Sequence, residues 1–264
     1  MRDAPMNLQR PELIYDCRHE LAEGPVWHQG YLWWVNIMAG ELHRLESSGG
    51  AHESRRLGGH LGCAVPAADG RWVLAHKRGL AFFDWNTGQL EQIAEPEASL
   101  RGNRFNDGKC DPAGRLWAGT MSCALKANAG SLYRLDASLN IQRMLDGVTV
   151  SNGLAWSADG RTMYYTETLT HRVDALNFDP RIGAISGRRT LADIPAEAGA
   201  PDGMAIDVND NLWVALWGGS SLVCFNGRTG VALARVELPV SQPSSAPLAD
   251  RTSTSFSSPA HGRA

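Results

Sequence analysis

The stretch RFNDGKCDPAGRLWAGTM, residues 104–121, decides how this chain folds. Its second half, GRLWAGT (114–120), is a turn followed by a compact apolar run, the pattern of a buried β-strand. Its first half places Arg104, Asn106, Asp107 and Lys109 just ahead of that strand. Turning a corner takes one Asn-Gly or Asp-Gly, so the cluster of four hydrogen-bonding side chains asks for a further reason.

The same strand signal recurs. YLWWVNI (31–37), GRWVLAH (70–76), GRTMYYT (160–166) and NLWVALW (211–217) are each β-rich and opened by a turn. Taking Trp33, Val73, Trp117, Tyr164 and Trp213 as anchors, the steps are 40, 44, 47 and 49 residues. A second strand and a polar turn follow most anchors, as in GSLYRLD and SLVCFNGRTG. A period of this length with several strands per unit predicts β-propeller blades. An irregular β-sandwich would give frequent turns without the long repeat.

The repeat also puts polar residues in phase. Glu23 lies 10 residues before its anchor, Asp107 10 and Asn106 11, Asn152 12, and Asp202 11. The second unit has Gly62 at that phase. Asn-Gly and Asp-Gly pairs favour turns, which accounts for each glycine singly. It does not account for an acidic or amide residue recurring in register. Equal phase means equal height around a central axis, so Glu23, Asn106 or Asp107, Asn152 and Asp202 are expected at one mouth of the channel. Two carboxylates and an amide in a small space repel unless a cation sits between them. Hard oxygen donors suit Ca²⁺, Mg²⁺ or Mn²⁺, and carboxylates also hold Zn²⁺.

The bulk composition narrows the function class. The 264 residues are 43% hydrophobic and 20% charged, with a net charge of −3, as in a globular protein with a real core. No basic face points to nucleic acid, no apolar run of membrane-spanning length is present, and MRDAPMNLQRPELIYD lacks the apolar core of a signal peptide. The five cysteines are odd in number and never spaced C-x-x-C, which fits reduced cytoplasmic thiols rather than a disulfide frame or a zinc-thiolate site. No G-x-S-x-G elbow supports a serine hydrolase.

AEGPVWH, RFNDGKCDPAGRLWAGTM, SNGLAWSADGRTMYYTET, PDGMAIDVNDNLWVALWGG and VELPVSQP follow one another from about residue 21 to 243. In that order they resemble the regucalcin/gluconolactonase family of sugar lactonases. The resemblance implies a six-bladed β-propeller and metal-dependent hydrolysis of a small-molecule sugar lactone to the sugar acid. It places Glu23, Asn152 and Asp202 at the family's metal-ligand positions, for one divalent ion that is Ca, Zn, Mn or Mg. It places Arg104 and Asn106 at the substrate-binding positions, and Asp202 is the candidate general base. RFNDGK then reads as a substrate-facing loop, with Asp107-Gly108 turning the chain into its strand and Asp107 and Lys109 in support. A calcium-binding regulatory propeller without turnover and an inactive truncated paralogue are the competing readings.

Two departures stand out. Some family members carry an acidic residue shortly after GTM, whereas this chain continues MSCALKANAG without one. After VELPVSQPSS the chain reads APLADRTSTSFSSPAHGRA, rich in Ser, Thr and Pro where the next anchor is due near residue 260. The expected organisation is therefore a propeller over residues 1–243, a disordered tail over 244–264, and an incomplete last blade. With suitable codons, a second reading frame through Ala246–Ser258 yields a family-like continuation, a frameshift hypothesis that sequencing the gene tests.

Overall fold

The computed structural model describes residues 11–246 except Ser48 and Arg78. These form an all-β propeller of five antiparallel four-stranded blades. The first blade is β1 (Ala22–His28), β2 (Tyr31–Asn36), β3 (Glu41–Glu46) and β4 (His52–Arg56). The second is β5 (Leu61–Pro66), β6 (Trp72–His76), β7 (Gly79–Phe83) and β8 (Leu90–Ala94). The third is β9 (Asn103–Cys110), β10 (Leu116–Ser122), β11 (Gly130–Leu135) and β12 (Ile141–Val148). The fourth is β13 (Ser151–Trp156), β14 (Thr162–Glu167), β15 (Arg172–Asp179) and β16 (Ala184–Asp193). The fifth is β17 (Ala200–Ile206), β18 (Asn211–Trp217), β19 (Ser221–Asn226) and β20 (Ala232–Glu237). Every anchor lies on the second strand of its blade. Among the described residues no helix is long and apolar enough to cross a membrane, and all five cysteines are free.

Burial follows strand order. β5 and β13 are buried throughout, whereas β4 and β20 alternate between half-buried and exposed residues. The first strand of each blade lies nearest the axis and the fourth at the rim. Four apolar seams join neighbouring blades. Trp33, Leu42, Trp72 and Phe83 fill the first, and Val73, Phe105, Leu116 and Tyr133 the second. Trp117, Leu132, Trp156 and Phe178 fill the third, and Tyr164, Val173, Leu212 and Phe225 the fourth. Each fully buried side chain of this size contributes about 1.5–3 kcal/mol, so the seams carry most of the ring's stability.

The anchor tryptophans are also pinned by hydrogen bonds. Asp111 Oδ2 accepts from Trp117 Nε1 at 3.0 Å and from Arg115 Nε at 2.6 Å, while its Oδ1 closes the turn through the Ala113 and Arg115 N–H groups. Asp207 repeats the arrangement with Asn211 and Trp213. DPAGRLW and DVNDNLW are thus one device, an Asp that caps the hairpin turn and fixes the indole six residues on.

The six-bladed expectation needs correction, because five blades are formed among the described residues. Five units of the repeat exhaust the chain up to Glu237, and nine more described residues are too few for another four-stranded sheet. Those nine form no strand and run between the fifth and first blades. Leu238 N–H donates to Ser220 O, Gly203 N–H to Ser244 O at 2.8 Å, and Ser244 Oγ to Ala22 O at 2.7 Å. One segment therefore bridges β17 and β1 at the axis, and no apolar seam lies between those two blades among the described residues. Residues 247–264, with the frameshift segment beyond Ala246, lie outside the described residues.

Candidate functional site

Every innermost strand is irregular at the phase of the polar residues. The pairing register shifts between Glu23 and Val26 in β1, Leu61 and Cys63 in β5, Ser151 and Leu154 in β13, and Pro201 and Met204 in β17. In β9 the shift falls between Phe105 and Gly108, opposite Gly119. Such bulges bend a strand and re-aim a side chain. RFNDGK is accordingly not a loop, and Asp107-Gly108 is not a turn, since both lie within β9.

The glycines after the polar residues have a different cause from the one their turn chemistry suggests. A Cβ on Gly153 would stand 2.6 Å from Asp202 O, and one on Gly203 would stand 2.7 Å from Ser244 O. One on Gly62 would stand 2.6 Å from the Phe105 backbone. Neighbouring inner strands converge there, and only hydrogen fits. Gly24 differs: a Cβ there would come no nearer than 4.0 Å to a neighbour, and its φ of +54° is what favours glycine.

Glu23, Asn152 and Asp202 are all buried at these bulges. Asn152 Nδ2 donates to Thr168 Oγ1 at 2.9 Å, which leaves Asn152 Oδ1 without a partner. Asp202 Oδ1 is also unpartnered, while the Asp202 main-chain oxygen accepts from Thr166 Oγ1. Glu23 Oε2 receives a long 3.3 Å contact from Gly24 N–H, and Ser244 also acts on the carboxyl. Burial, then Asp202 and Asp107, holds the Glu23 carboxyl far above the ordinary carboxylate range. Burial, then Asp107, does the same to Asp202, with Arg104 partly opposing it. Orphaned buried oxygens and mutually repelling carboxylates mark a place that a cation would relieve. No group of three or more His, Cys, Asp or Glu side chains that could hold a metal occurs among the described residues. This set is two carboxylates and one amide, all hard oxygen donors.

Arg104 and Asn106 stand together beside it. Arg104 Nη1 donates to Asn106 Oδ1 at 2.6 Å and to Phe105 O at 3.0 Å, and Asn106 Nδ2 donates to Ser151 O at 2.9 Å. Asn106 therefore positions the guanidinium and keeps one N–H of its own. Burial lowers the proton affinity of Arg104, and Cys123, Glu23 and Asp202 act against that, so Arg104 lies within electrostatic reach of all three.

Asp107 and Lys109 have another place. They line a cavity of about 480 Å3 along the axis, with Gly24, Ala155, Met204 and Ser245. Lys109 Nζ reaches across to Met204 O at 2.8 Å, and its charge offsets part of the burial that raises Asp107. Asn106 thus joins Arg104, while Asp107 lines the axial cavity and still acts on Glu23 and Asp202.

Sequence reading missed Thr166, Thr168 and Ser244. Ser244 hydrogen-bonds Ala22 and acts on the Glu23 carboxyl. The two threonines end β14 or follow it, where no periodicity distinguishes a hydroxyl that props a ligand from one that faces solvent. Ser244 follows directly on VELPVSQP, so its position was readable but its partner was not.

The family described as "SMP-30/Gluconolactonase/LRE-like region" matches residues 21–253. Regucalcin of Danio rerio is 37% identical over 238 residues, covering 89% of this chain and 80% of that protein. The crystal structure of a calcium-binding protein, regucalcin, from Agrobacterium tumefaciens superposes with a TM-score of 0.84 at 31% identity, covering 88% of this chain and 79% of that one. A gluconolactonase of Xanthomonas campestris superposes with a TM-score of 0.74 at 25% identity, covering 88% and 80%. The chain belongs to the SMP-30/gluconolactonase/LRE-like family.

Proposed function

We propose that this protein hydrolyses a sugar lactone to the corresponding sugar acid with the help of one divalent cation held by Glu23, Asn152 and Asp202. The carrying observation is the pair of buried, unpartnered oxygens, Asn152 Oδ1 and Asp202 Oδ1, with Asp202 within electrostatic reach of both Glu23 and the guanidinium of Arg104. Ca, Zn, Mn and Mg all accept such a donor set, and a bound ion would polarise the lactone carbonyl and acidify a water.

The chain's own groups supply the rest. One oxygen of Asp202 takes a proton from the attacking water, a role suited to a carboxyl whose proton affinity burial has raised. The water oxygen bonds to the carbonyl carbon, the ring C–O bond breaks, and the ring oxygen takes up a proton to become a hydroxyl. Arg104 Nη1 is occupied by Phe105 O and Asn106 Oδ1, so its remaining N–H groups are left to orient the sugar and meet negative charge developing on the carbonyl oxygen.

The same reading takes the ring as one of six positions whose last blade is incomplete, with the Leu238–Ala246 segment in its innermost place. Support comes from Ser245 and Ala246 lining the axial cavity alongside the inner strands of all five blades.

Calcium binding without turnover is the second reading, favoured by the likeness to the calcium-binding Agrobacterium protein. A panel of aldonolactones, assayed with the metal-loaded protein and its Asp202→Asn variant, separates the two. Hydrolysis that the variant loses supports the lactonase. A metal-raised melting temperature with no hydrolysis of any lactone supports the binding protein.

A further inference from the structure

Arg104 is a buried cation without an ion pair among the described residues. It also lines a second cavity, about 790 Å3, that opens between the second and third blades. Lys77, in the turn after β6, and His76, at the end of β6, stand on the same wall. His60 leads into β5 and accepts the Lys77 N–H at its main-chain oxygen, 2.8 Å away. Arg104, Lys77 and His76 all face His60, and after burial their charges are what lower its proton affinity.

Among the described residues no carboxylate is ion-paired with Arg104 or Lys77. Glu97, across the cavity, has its Oε1 engaged by Thr120 Oγ1 at 2.8 Å and Tyr133 OH at 3.1 Å, and its Oε2 by Asn103 Nδ2 at 2.9 Å. Glu95 is exposed at the rim. Cys123, two residues after GTM, has its Sγ 3.9 Å from His60 Nδ1. Positive charge gathered on one wall of an open cavity, beside a site that handles a carbonyl, selects for negative charge on the ligand.

We propose that His60, Lys77 and Arg104 form a subsite for a second anionic group, so that the substrate is a sugar lactone carrying a carboxylate or phosphate at the end remote from its ring carbonyl. The proposal rests on the lactone reading above and names the class of lactone that the site prefers. Arg104 joins the two regions, with the ring on the Glu23–Asp202 side and the anionic end on the Lys77 side.

Calorimetric binding of three sugar acids to the full-length protein in excess Mg²⁺ tests it without turnover. The probes are D-gluconate, D-glucarate and 6-phospho-D-gluconate, with wild type, Lys77→Met and His60→Gln. Lys77 is exposed, so its variant keeps the fold, and a thermal melt verifies this. We expect at least one dianion to bind about tenfold tighter than gluconate, as one added charge-assisted contact gives. That ratio should fall towards one in both variants. Preference for glucarate alone identifies a carboxylate, and for the phosphate ester alone a phosphate. Equal binding of all three acids by wild type, or a preference that survives Lys77→Met, overturns the proposal. Dianion preference in a protein that hydrolyses no lactone would remove the lactonase reading and leave the anion subsite standing.

Discussion

Ser244 Oγ donates to Ala22 O at 2.7 Å, joining residues 222 positions apart in the chain. Together with Gly203 N–H donating to Ser244 O, it is the direct link between the fifth and first blades at the axis. Ser244→Ala should lower stability by about 0.5–1.5 kcal/mol, the net worth of one hydrogen bond. Because Ser244 also acts on the Glu23 carboxyl, cation affinity should fall with it. Urea unfolding with and without Ca²⁺ reads both, and an unchanged midpoint in each would remove Ser244 from its bridging role.

Asp202 sets catalysis against stability. Asp202→Asn removes one of the repelling carboxylates, so the metal-free protein should gain about 1 kcal/mol. Turnover should fall by about 10²–10⁴, the range for loss of a general base. A variant less stable than wild type in the presence of chelator would contradict the repulsion.

The raised Glu23 and Asp202 carboxyls fix the direction of a pH effect. An acid whose folded pKa exceeds its unfolded value holds its proton more firmly in the folded state. Its stabilising contribution is complete below the unfolded value, about pH 4, and is lost as pH rises through the folded value. Metal-free protein should therefore lose stability from this pair as pH rises above the ordinary carboxylate range. Divalent cation should restore more stability at pH 8 than at pH 5, which melts at the two values would show. Equal gains at both would refute it.

Close approach of inner strands predicts a sharp contrast between two glycines. Gly153→Ala puts a methyl group 2.6 Å from Asp202 O and should cost about 1–3 kcal/mol. Gly102→Ala meets nothing within 4 Å and has no positive φ, so it should be near neutral. Denaturant midpoints for the two variants give the comparison directly.

The blade repeat was legible because each unit carries an anchor strand after a turn, and four of the five carry a polar residue at fixed phase. Trp117 and Trp213 announce it through Asp111 and Asp207, which hold their indoles. Glu23, Asn106, Asn152 and Asp202 were legible for the same reason. What the spacing could not separate is a turn from a bulge, since Asn-Gly and Asp-Gly serve both. Gly153 and Gly203 are small because of a neighbouring strand brought close by tertiary structure, and no local pattern encodes that distance. Blade number was also beyond reach, because it depends on residues past the last anchor. His60 and Cys123 carry no periodic signature, and only the folded ring sets them beside Arg104.

Glu23 and Asp202 belong to the first and fifth blades, the two on either side of the single-segment bridge. In the proposed function the carboxylates would therefore do more than hold a cation: they stand at the two ends of a hoop. With only like charge between them they push the hoop apart at its thinnest section, and a cation between them would act as its clasp. Ligand affinity and mechanical closure would then be one quantity, and any substitution that tunes one must move the other.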